Sequence, residues 1–246
     1  VTSIEINGTF YRLQTPEVFA KWHDATPEDF VFSVKAPRFV VQRKDLTSAQ
    51  TAIERFVASG VVQLKSKLGP ILWQLAAIER FDPKEIEGFL GLLPTVAGKL
   101  RLRHALEVRH QSFANQEFLS IARAHRVAVV VEDDPAYPCL ADPTTNFVYA
   151  RLRRSSASVT TGYRTAALKK WAQRAETWAR GDEPDDLPRL GPRRKVLAGG
   201  GRDVFVYFIN GAKERAPAAA MKLLSLLGPG PAGSATSSRS RRSAPR

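Results

Sequence analysis

The 246-residue chain has one cysteine and four histidines, which rules out several protein classes at once. Cys139 alone cannot close an intramolecular disulfide, so a disulfide scaffold is excluded. His23, His104, His110 and His125 are scattered along the chain, and metal coordination normally needs three or four convergent ligands. No metal and no cofactor are therefore expected. The sequence also lacks any apolar run near the roughly 18 residues that a membrane span requires, and Val1-Thr2-Ser3-Ile4-Glu5 has neither the basic nor the apolar region of a secretory signal. No membrane partner is expected, and the setting reads as cytoplasmic. Gly199-Gly200-Gly201 lacks the strand-then-helix context of a phosphate-binding loop and reads as a linker.

Acidic residues are in deficit overall: 37 Lys plus Arg against 24 Asp plus Glu give +13. Such a balance favours anionic partners. Residues 228–246 contain Arg239, Arg241, Arg242 and Arg246, no acid and almost no large apolar side chain, the composition of a disordered basic tail. Residues 1–227 read as one domain, because 43% hydrophobic residues suffice for a large core and the length is about that of an α/β barrel, typically about 250 residues.

Short β-branched or aromatic runs alternate with segments of helical period, the pattern of parallel strands joined by crossover helices. The strands are centred on 3–7, 30–35, 71–75, 105–109, 127–133, 147–153 and 204–209. Helix starts are marked by Thr15-Pro16, by Asp82 with Pro83 and Glu85, and by Asn115. Residues 181–202, rich in Pro, Gly and charge, read as an exposed excursion. Seven strands are one fewer than a closed (β/α)₈ barrel holds, so the expected fold is a TIM-like barrel lacking its first strand unit, with an open doubly wound sheet as the alternative.

A strand buried on both faces should be almost wholly apolar. These strands are not. Period two places Ser3, Glu5, Asn7, Ser33, Lys35, Gln74, Glu107, Arg109, Asp133, Tyr149, Arg151, Arg153 and Tyr207 on one face. The other face carries Ile4, Ile6, Phe32, Val34, Trp73, Leu75, Leu106, Val108, Val148, Leu152 and Phe208, which should pack on helices. In a parallel barrel the polar set converges on the C-terminal mouth, where barrel enzymes place their chemistry. The competing reading is a buried ion network that only fills the interior.

The residues Ile4-Glu5-Ile6-Asn7, Thr9-Phe10-Tyr11-Arg12, Phe32-Ser33-Val34-Lys35-Ala36-Pro37, Leu68 to Leu75, Glu107-Val108-Arg109-His110, Phe147 to Leu152 and Val206-Tyr207-Phe208 together resemble the YecE-like family, domain of unknown function 72. The resemblance covers about residues 1–227 and implies a TIM-like barrel whose first strand precedes the segment at Val1. The chain departs from the family pattern at Leu75-Ala76-Ala77, Arg153-Arg154 and Ile209-Asn210-Gly211.

The leading functional expectation is acid–base chemistry on a small anionic or phosphorylated, sugar-like substrate. Its catalytic candidates are Glu5, Glu107 and Asp133. Its binding candidates are Asn7, Tyr11, Arg12, Lys35, Gln74, Arg109, His110, Arg151, Tyr207 and Asn210. A nucleic-acid-binding or nuclease-like barrel is the alternative, resting on net charge, on Arg151-Leu152-Arg153-Arg154 and on Arg193-Arg194-Lys195. A truncated, inactive copy is a third reading. Nothing in the sequence sets an oligomeric state.

Overall fold

The computed structural model describes residues 1–193, 201–209 and 211–227. The Arg194-Lys195 and Gly199-Gly200 segments, Asn210 and the tail at 228–246 lie outside the described residues. The strands are β1 (Ser3–Ile6), β2 (Val31–Lys35), β3 (Leu68–Gln74), β4 (Val96–Ala97), β5 (Leu100–Arg101), β6 (His104–Glu107), β7 (Val127–Val129), β8 (Val131–Asp133), β9 (Phe147–Leu152) and β10 (Asp203–Phe208). The helices are α1 (Pro16–Asp24), α2 (Arg38–Val41), α3 (Gln50–Ala58), α4 (Pro83–Gly91), α5 (Gln116–Ala124), α6 (Thr165–Ala179) and α7 (Ala216–Leu226).

The fold is mixed α/β with parallel sheets. One sheet runs β1-β2-β3-β6-β7 and the other β10-β9-β8, every pairing being parallel, and β4-β5 forms a small antiparallel hairpin that the sequence pattern did not show. The expected fifth strand, 127–133, is thus broken at Val130, where it changes partner from β6 to β9. Val130 itself still donates its N–H to the Leu106 carbonyl, at 3.0 Å. Of the expected TIM-like barrel lacking its first strand unit, the mixed α/β fold with parallel sheets is present but no closed barrel is, because no ladder joins β1 to β10 among the described residues. Side chains bridge that seam instead: the hydroxyls of Ser33 and Tyr207 lie 2.8 Å apart, and Tyr149 Oη donates to Glu5 Oε2 at 2.6 Å. Outside them, a groove of about 710 Å³ opens between the ends of β1 and β10 and the helix α7, lined by Val1, Ser3, Val204, Val206 and Leu223.

Period-two alternation sorts the strands as the pattern requires. One face packs Leu72, Ala105, Ala128, Val130, Phe147, Tyr149, Phe205 and Tyr207 together. The other packs on helices, with Phe32, Val34, Trp73, Leu75, Leu106 and Val108 in one cluster and Val148, Leu152 and Phe208 in a second. Ile4 departs from the expectation and is exposed. Trp73 sits edge-on between Phe56 and Phe89, both with ring centroids 5.9 Å away.

Local signals hold where a side chain completes a cap. Asp82 accepts from Glu85 N at 2.9 Å and Asn115 from Phe118 N at 2.9 Å, while Thr15 makes no cap bond and α1 starts on Pro16 alone. Ile53, Phe56, Val57, Val61 and Leu64 stand at helical spacing, yet the helix ends before Gly60. Its φ of 107° is in the left-handed region, and a Cβ there would meet Pro16 Cα at 2.5 Å, so only glycine lets α3 end against α1.

His104 links this packing to pH. Trp73 Nε1 donates to its Nδ1 at 3.0 Å, so its Nε2 carries the proton that points at the Pro94 carbonyl, 2.8 Å away. A second proton on Nδ1 would face the indole N–H, and burial already lowers the pKa from 6.5 to about 4. Between those values the unfolded chain binds a proton that the folded chain refuses, so stability falls as pH drops through the window, by about 3 kcal/mol in full. Urea unfolding at pH 7 and pH 4.5 should show a smaller loss for His104→Gln than for the wild type; equal losses would remove His104 from the account.

Candidate functional site

The C-terminal ends of the strands carry the charged groups into one cluster. Parallel register does much of the placing, setting Gln74 opposite Glu107 and Glu132 opposite Arg151. Arg151 is the centre: Nη2 donates to Glu5 Oε1 at 2.8 Å, Nε to Glu5 Oε2 at 3.0 Å, and Nη1 donates to Glu107 Oε2. Glu107 also accepts from Gln74 Nε2 on both oxygens, 2.8 Å each, from Arg109 Nε at 2.7 Å and from Arg153 Nη2 at 3.2 Å. Glu5 accepts further from Asn7 Nδ2 at 2.9 Å and from Tyr149. Lys35 Nζ donates to Gln74 Oε1 at 2.7 Å and stands 3.9 Å from the centre of the Phe10 ring.

Three carboxyls in one cluster do not titrate alike. Burial alone would push Glu107 up, yet Arg151, Arg109 and Arg153 and the Gln74 hydrogen bond hold it down at about 2. Glu132 is raised to about 8, by burial first and then by the charge of Glu107, against the opposing pull of Arg153 Nε 2.8 Å away. Glu107 is thus ionised and Glu132 protonated at neutral pH, the separation that assigns base and acid roles in a carboxyl pair. Burial, then the neighbouring Arg151 charge, lowers Lys35 to about 8. Burial and Glu5 push the Tyr149 phenol well up.

The cluster therefore holds Lys35, Arg109, Arg151 and Arg153 against Glu5 and ionised Glu107, a surplus of positive charge beneath a half-buried aromatic. The Tyr137 ring, from the loop after β8, lies 4.8 Å from the Arg109 guanidinium and 5.8 Å from that of Arg153. Among the described residues no group of His, Cys, Asp and Glu is arranged to hold a metal ion, and no helix is long and apolar enough to cross a membrane.

The structure brings together Glu5, Asn7, Lys35, Gln74, Glu107, Arg109 and Arg151 of the sequence candidates. Asp133 is corrected: it points to the helix side of β8, with Tyr163 Oη at 3.3 Å and Arg154 at 3.8 Å, because Ala128, Val130 and Glu132 take the inner phase. Tyr11 and Arg12 are exposed beyond β1, outside the cluster. His110 Nδ1 accepts from Ser112 N at 3.1 Å and caps a short 3₁₀ turn. Tyr207 lies deeper, against Tyr149 and Ser33. Asn210 is outside the described residues. Glu132 was missed because the adjacent pair Glu132-Asp133 offers an acid to either phase, and Tyr137 because a loop aromatic has no periodicity to mark it.

The model of the family described as "Protein of unknown function DUF72" matches residues 1–243. The chain belongs to the DUF72 family. Among DUF72 relatives, UPF0759 protein YecE from Escherichia coli strain K12 is 29% identical over 110 residues, which span 45% of this chain and 39% of that protein. YecE from Escherichia coli O157:H7 matches to the same extent. A DUF72 protein from Enterococcus faecalis superposes with TM-score 0.68 at 16% identity, covering 92% of this chain and 84% of that one. One from Thermotoga maritima gives 0.63 at 20% identity, covering 92% and 83%. These likenesses carry the fold.

Removing the central cation should be costly, since a buried carboxylate left unpaired costs about 3–5 kcal/mol. Arg151→Leu, which leaves Glu5 without its cation, should lower the unfolding free energy by about that much, and adding Glu5→Gln should restore part of it. Additive losses in the two variants would show that the pair is not the coupling assigned.

Proposed function

We propose that this DUF72 chain is a TIM-type barrel enzyme that binds a small phosphorylated or otherwise anionic, sugar-like substrate at the strand C-termini and works on it by acid–base chemistry. The observation that carries the reading is the cluster's surplus of positive charge around carboxyls that titrate apart. Arg109 and Lys35 attract the anion, with Arg suited to bidentate contact and Lys35 acting as a point charge. Glu132 supplies a proton to a substrate oxygen. Glu5, beside exposed Asn7 at the rim, accepts one when the anion draws Arg151 away from it. Glu107 acts as a positioning residue: its oxygens are taken up by three guanidinium groups and Gln74, so it gathers the cations rather than exchanging protons. A single cysteine, raised to about 11 by burial and so a poor nucleophile, is in keeping with a reducing cytoplasmic setting.

The small-anion reading is favoured over nucleic acid because Arg151 and Arg153 are spent on buried carboxylates and Arg193 is paired with Asp185. They present no phosphate-binding ridge. A panel of sugar phosphates should contain at least one that raises the unfolding temperature at pH 7, through binding to the native state. The rise should shrink at pH 9, since Lys35 loses its proton and Glu132 gains a charge near pH 8, both lowering the positive surplus. Arg109→Ala should abolish it while the chain still unfolds cooperatively. No response to any phosphate, or one that Arg109→Ala leaves intact, would sink the proposal.

A further inference from the structure

At the N-terminal ends of the strands, away from the carboxyl cluster, lies a second groove of about 680 Å³, lined by Lys65, Arg101, Arg103, Arg126, Thr145 and Asn146 among others and by no carboxylate. That volume is in the range of small-ligand sites, about 300–1,000 Å³. Arg103 forms its floor: paired with Asp203 at 2.7 Å, it lies over Phe147 and Phe205 with ring centres 5.7 and 5.0 Å away. Lys65, Arg101 and Arg126 are exposed and form no ion pair among the described residues, so three cations share one cavity, with Asp24 near Lys65 and Asp203 held by Arg103 as the neighbouring carboxylates.

The backbone gives an independent indication. Lys65 (φ 49°) and Arg126 (φ 55°) are the non-glycine residues with positive φ among the described residues, and both line this groove. Glycine would meet either conformation without strain, yet each position carries a long cation. Strained conformations of this kind cluster at ligand sites, where the surroundings over-determine them.

We propose that this groove binds a small oligophosphate, a run of linked phosphate groups that three unpaired cations would neutralise while Thr145 and Asn146 offer polar contacts. A single-stranded nucleic acid suits it less well. Base recognition on such strands leans on exposed aromatic faces, and Phe147 is buried beneath Arg103. The site is independent of the acid–base reading, because it shares no residue with the cluster around Arg151.

Isothermal titration of the whole 246-residue chain with inorganic tripolyphosphate tests it. Binding should appear at low salt and weaken as salt rises. Arg101→Gln with Arg126→Gly should lower affinity by about tenfold or more, and the glycine, by relieving the positive φ, should leave thermal stability undiminished. Lys44→Gln with Lys213→Gln removes the same charge from exposed positions outside the groove lining and should keep the affinity. No binding, an equal loss in both pairs, or tighter capture of a single-stranded oligonucleotide than of tripolyphosphate in the same groove would each overturn the assignment.

Discussion

The buried Arg151 guanidinium, held between Glu5 and Glu107, is the constraint around which the rest of the structure is arranged. It stands on β9 and reaches β1 on one side and β6 on the other, so a single side chain spans most of the curled sheet. Ion pairs this deep do not add much net stability, because desolvation offsets the attraction. Their effect is geometric. A shifted register on β1 or β6 would leave a carboxylate buried without its cation, and period-two alternation makes a one-residue slip turn every side chain to the other face. The cluster thus helps choose one strand arrangement as well as forming the candidate site.

The chemistry of the cluster follows from the same crowding. Glu107 collects enough positive charge to stay ionised, and its charge in turn helps keep Glu132 protonated. Lys35 is drained of basicity by burial and by the cation next to it. The parallel topology brings these groups to one end of the sheet, because β1, β2, β3, β6 and β9 each carry a polar residue at or near their C-terminal end. The opposite end carries Arg103 over aromatic rings and the cations of the basic groove. The two ends therefore differ in kind: one mixes buried acids and cations behind Tyr137, the other is predominantly basic, with Asp203 held by Arg103.

Much of this was legible in the sequence because burial and periodicity are written in residue types. The alternation of Glu107 with Leu106, or of Arg151 with Leu152, assigns faces without any structure, and nine polar residues of the cluster followed from it. What was not legible depended on long-range geometry. Glu132 and Asp133 are chemically interchangeable neighbours, and the apolar run Val127 to Val131 before them marks neither phase as the inner one. A missing first strand unit was inferred from a strand count, but a count does not say how the strands divide between the two sheets. The basic groove is assembled from loops before β6, β7 and β9, with Lys65 from the stretch before β3. Those residues are far apart in sequence and follow no common period.

The seam between β1 and β10 gives the cluster a mechanical role. Among the described residues β1 pairs in a ladder with β2 alone, and across the seam it is latched by Glu5 to Tyr149 and Arg151. The latch is made of the same charges as the candidate site. Any change that draws Arg151 away from Glu5 therefore also loosens the first strand, and amide exchange along β1 becomes a reporter of the state of the cluster. Local opening at a sheet edge and the pairing of the buried charges are, in this molecule, joined through one side chain.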